Sequence, residues 1–72
     1  MNDLQKAELY IEELTNTKNS VEALINLLEY SKGSHPQYNQ LHYLKERSQE
    51  IESQLADLNK IKDKLLSEIH NG

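Results

Sequence analysis

The sequence predicts an all-α protein, an antiparallel two-helix hairpin with coiled-coil-like packing, on three observations. First, Leu4, Ala7, Ile11, Leu14, Lys18, Val21, Ile25 and Leu28 recur alternately three and four residues apart, and Leu41, Leu44, Ser48, Ile51, Leu55, Leu58, Lys62 and Leu65 repeat the pattern. This spacing draws one apolar stripe along each of two helices. Second, between the stripes lies Ser31-Lys32-Gly33-Ser34-His35-Pro36, where Gly and Pro come together. Third, the register closes. With Leu28 opposite Leu41, the pairs continue as Ile25 with Leu44, Val21 with Ser48, Lys18 with Ile51 and Leu14 with Leu55. They end at Ile11 with Leu58, Ala7 with Lys62 and Leu4 with Leu65, and no polar seam residue meets another. Lys18 and Lys62 can lay their methylene stems along the seam and hold their ammonium groups in water. The same seam can also close between two chains, so a homodimer of the chain alone is compatible with the pattern.

The elements follow in order within a single domain of residues 1–72. The first helix is expected over about residues 3–31, capped by Asn2 or Asp3, with Gln5 placed to complete a capping box on Asn2. Thr15-Asn16-Thr17-Lys18-Asn19-Ser20 interrupts it with short polar side chains that compete for backbone hydrogen bonds. A kink or break over residues 15–20 and a continuous helix are both open, and the unbroken seam arithmetic favours continuity. Gly33 is expected as the left-handed stop in a turn over residues 32–35. Pro36 suits the first turn of a second helix over about residues 36–69, with His35 held out of the helical region.

Composition narrows the function. A chain of 72 residues holds one thin core, which usually needs disulfides, a metal or a partner for comfortable stability. There is no cysteine, which excludes disulfides and thiolate metal sites. A net charge of −4 argues against nucleic acid, whose phosphates call for clustered Lys and Arg. Residues 1–31 carry six acids against two lysines, whereas residues 36–72 carry six acids against five cations, so the second helix can complement the first. No apolar run approaches a membrane span, and Met1-Asn2-Asp3 lacks the basic-then-apolar character of a signal peptide, so a cytoplasmic location without membrane insertion is expected.

Catalysis needs a nucleophile with a base, or converging acids in a water-excluding site. Here Ser and Thr fall on helix faces with no cleft to hold them, and no enzyme, cofactor or metal site is expected. His42 and Glu46 share a helix face at i, i+4 but have no third convergent ligand, so they read as a solvated pair. The more informative residues are apolar ones outside the seam. Leu24, Leu27 and Tyr30 run beside Val21, Ile25 and Leu28, with Tyr38 and Tyr43 across the turn; Leu9, Tyr10, Ile61, Leu66 and Ile69 flank the other end. These residues either thicken a small core or form a docking face for another helix. Leu24, Leu27, Tyr30, Tyr38, Tyr43, Ile61, Leu66 and Ile69 are the expected partner-binding residues, because two helices cannot cover both sides of their own stripe.

The run Lys32-Gly33-Ser34-His35-Pro36-Gln37-Tyr38-Asn39-Gln40-Leu41, continued by Ser48-Gln49-Glu50-Ile51-Glu52-Ser53-Gln54-Leu55, resembles the small E-type co-chaperones of bacterial type III secretion, the family of YscE, PscE and EscE. The resemblance covers about residues 21–58. It implies a helical hairpin that binds a TPR-like chaperone and, with it, keeps the needle subunit monomeric in the cytosol, with few contacts of its own to that subunit. Asn59-Lys60-Ile61-Lys62-Asp63-Lys64 is more charged than the family pattern. A second resemblance is to small helical-hairpin aspartyl-phosphate phosphatases, whose second helix carries a Ser-Gln-Glu-Leu-Asp motif. Ser48-Gln49-Glu50-Ile51-Glu52 comes close, but Glu52 stands at the Asp position and the spacing from the turn is longer. A homo-oligomeric coiled-coil adaptor is the remaining alternative.

Overall fold

The computed structural model describes residues 1–71; Gly72 lies outside the described residues. Two long helices fold back on one another, α1 over Asp3–Ser31 and α2 over Leu41–Asn71, joined through a single 3-10 turn at Tyr38–Gln40. The molecule measures 57 × 18 × 13 Å, a flat antiparallel hairpin. No helix among the described residues is long and apolar enough to cross a membrane.

The N-terminus of α1 forms as its sequence predicts. Asn2 Oδ1 accepts the Gln5 backbone N–H at 2.8 Å, and the Asn2 N–H donates to Gln5 Oε1 at 3.1 Å, a reciprocal capping box. The polar segment at residues 15–20 does not break the helix. Thr15, Thr17 and Ser20 turn their hydroxyls back onto the carbonyls of Ile11, Glu13 and Asn16, so their side chains bond within the ladder instead of replacing it.

The turn departs from expectation in two places. The left-handed reversal begins at Lys32 (φ 51°), one residue before the predicted Gly33, which is itself at φ 93°. Together they let the Lys32 N–H reach the Glu29 carbonyl and the Ser34 N–H reach that of Ser31, while the Ser31 and Ser34 hydroxyls bond the carbonyls of Leu28 and Ser31. The carbonyls of Leu28, Glu29 and Ser31 at the end of α1 are thus satisfied. A Cβ on Gly33 would meet nothing within 4 Å, so its constraint is backbone conformation alone. Gly33→Ala is expected to cost about 1–2 kcal/mol, and Lys32→Gly to gain about 0.5–1 kcal/mol by relieving the left-handed lysine. Urea melts of the two variants check both signs.

The second departure is the start of α2, at Leu41 and not at Pro36. Winding does begin at Pro36, but it is tight. The His35 imidazole Nδ1 accepts the Gln37 N–H at 3.0 Å, and Tyr38 and Gln40 donate to carbonyls three residues back. Gln37 sits at φ −95°, ψ 11°, outside the helical region, which separates this turn from the helix proper. The helix then runs to Asn71, two residues beyond the predicted end.

Every residue of the predicted seam is buried or half-buried, including the stems of Lys18 and Lys62. Ala7, Leu14, Ile25, Leu28 and Ile51 form the core, and Leu28 and Ile51 are 0% exposed. Cross-helix contacts agree with the predicted register: Lys18 reaches Glu52, Ser48 reaches Glu22, and Leu4 and Leu65 share a recess at the open end.

Candidate partner-docking surface

A flat hairpin has two broad faces, and helical geometry decides what each receives. A residue directly after a seam leucine, isoleucine or valine turns 100° to one side, and a residue directly before it turns to the other. When two such helices run antiparallel, the "after" positions meet on one face and the "before" positions on the other.

The first face is ionic. Glu22 and Glu29 follow Val21 and Leu28, and Lys45 and Glu52 follow Leu44 and Ile51. Lys18 Nζ, rising from the seam, lies 2.8 Å from Glu52 and 3.6 Å from Glu22, and Lys45 lies 3.4 Å from Glu29. The Ser48 hydroxyl makes a long 3.5 Å contact to Glu22. Lys45 also brings a cation to the C-terminal end of α1, where Glu29 otherwise meets the negative end of the helix dipole. These pairs are solvated and individually weak, but together they tie the helices along this face.

Lys18 joins two of these glutamates. Its ammonium is held above the ordinary value of 10.5, first by the hydrogen bond to Glu52; desolvation opposes this, and the charges of Glu52 and Glu22 reinforce it. A value raised on folding contributes stability that is complete below 10.5 and is lost as pH climbs through the folded value. The difference in melting temperature between wild type and Lys18→Met is therefore expected to move against the wild type as pH rises through that alkaline range. A pH series of thermal melts reads it directly.

The second face is different in kind. Leu24 and Leu27 precede Ile25 and Leu28, and Tyr43 and Arg47 precede Leu44 and Ser48. Leu24 and Arg47 are both half-buried at the margin of the seam. Leu27 and Tyr43 stand further out, 54% and 60% exposed. Among the described residues no ion pair crosses this face; the one involving Arg47 joins it to Glu50 within α2. Farther from the turn, Tyr10 and Ile61 occupy the corresponding positions.

The eight expected partner-binding residues are therefore not one patch. Leu24, Leu27, Tyr43 and Ile61 share the second face. Tyr30, 85% exposed, projects from the outer edge of α1, away from the seam. Tyr38 belongs to the 3-10 turn, where it borders a shallow recess with Leu41, His42 and Lys45. Leu66 follows Leu65 and so lies on the ionic face, half-buried. Ile69 continues the seam past Leu65 and lines the open-end recess with Leu4. Arg47 was not among the expected residues. It is the one arginine of the chain, placed directly before a seam position, and that placement is the signal that marks it.

His42 and Glu46 pair at 3.0 Å on a solvated surface, and among the described residues no three His, Cys, Asp or Glu side chains converge on a metal-sized site. In the segment Ser48–Glu52, Ile51 is in the core, Ser48 is in the seam, and the Glu52 carboxylate is engaged by Lys18. No protein-family model, curated protein or solved structure matches the chain.

Proposed function

We propose that this hairpin is a non-enzymatic co-chaperone that binds a TPR-like chaperone and helps to keep the type III secretion needle subunit monomeric in the cytosol. The observation that carries the docking role is the division of its surface. One broad face is closed by ion pairs between the helices, and the other keeps Leu27 and Tyr43 more than half exposed beside Leu24. Exposed leucine and tyrosine on a rigid helical face give large contact area at low entropic cost, and helical-repeat proteins bind helices through such stripes. The secretion context is supported by the resemblance in residues 32–41 and 48–55. The engagement of Glu52 by Lys18 gives no support to the phosphatase alternative.

The test is reconstitution. The tagged chain is co-expressed with the helical-repeat needle chaperone and the needle subunit of the host's secretion apparatus, and the products are separated by size with light scattering. A complex of all three, with the needle subunit unpolymerised, is the expected result. Elution of this chain alone, with the needle subunit equally soluble in its absence, would overturn the proposal.

A further inference from the structure

We draw no further inference here: the strongest candidate, the apolar strip of Leu24, Leu27 and Tyr43 on the second face of the hairpin, belongs to the docking surface already described, and nothing in the structure shows what covers it.

Discussion

Leu28→Ala is expected to remove most of the stability of the isolated hairpin. Leu28 is 0% exposed at the turn-proximal end of the seam, and emptying such a site costs about 2–5 kcal/mol in lost transfer energy and cavity. A core of this size supplies only about 3–5 kcal/mol in total, so a loss of that size unfolds a large share of the molecules. Ile51, the other fully buried side chain, is expected to be more sensitive still when replaced by aspartate, because a carboxylate at this 0% exposed position would lose its water while Lys18, across the seam, is already engaged by Glu52 and Glu22. Far-ultraviolet circular dichroism through a urea series gives the answer. Helicity of Ile51→Asp equal to that of wild type would remove Ile51 from the core and with it the seam register.

Leu27→Glu is expected to do the reverse, leaving the isolated chain helical and as stable as wild type while abolishing partner binding. Leu27 is the immediate neighbour of Leu28 in sequence, yet it is 54% exposed. An exposed leucine on a helix exchanges for glutamate within about 0.5 kcal/mol, because both are good helix formers. At a docking face the same change inserts an unpaired carboxylate into an apolar contact, which costs several kcal/mol. Leu24→Glu is a less clean probe of the same face, since Leu24 is half-buried against the seam and its loss would cost fold and binding together. Melts and titrations of Leu27→Glu in parallel decide the matter, and a variant that unfolds would assign Leu27 to the core.

The contrast between Leu27 and Leu28 shows how far the sequence alone could be followed. The alternating three-and-four spacing distinguishes a seam leucine from its neighbour, and all sixteen seam positions named from spacing are buried or half-buried in the hairpin. The capping box at Asn2 and Gln5 was equally legible, because both of its bonds are local. At residues 15–20 the spacing left two outcomes open. The helix runs through because packing of Leu14, Lys18 and Val21 along the seam outweighs the weak helix preference of Thr and Asn, and the hydroxyls find acceptors inside the ladder. The candidate surface was only half legible. Apolar residues outside the seam could be named from the sequence, but Tyr30 and Leu66 point away from the face that Leu27 and Tyr43 share.

What the sequence by itself determined is therefore the hairpin, its register and its core, since these depend on periodicity and on one Gly-Pro break. What only the tertiary structure decided is the difference between its two faces and the geometry of the turn. Which glutamate Lys18 and Lys45 reach depends on how two helices are rotated against each other, and the same packing decides that Leu27 and Tyr43 stay more than half exposed while Leu24 and Arg47 are half-buried. The turn winds as 3-10 with the His35 imidazole accepting the Gln37 N–H just ahead of it, a contact set by side-chain placement and not by spacing.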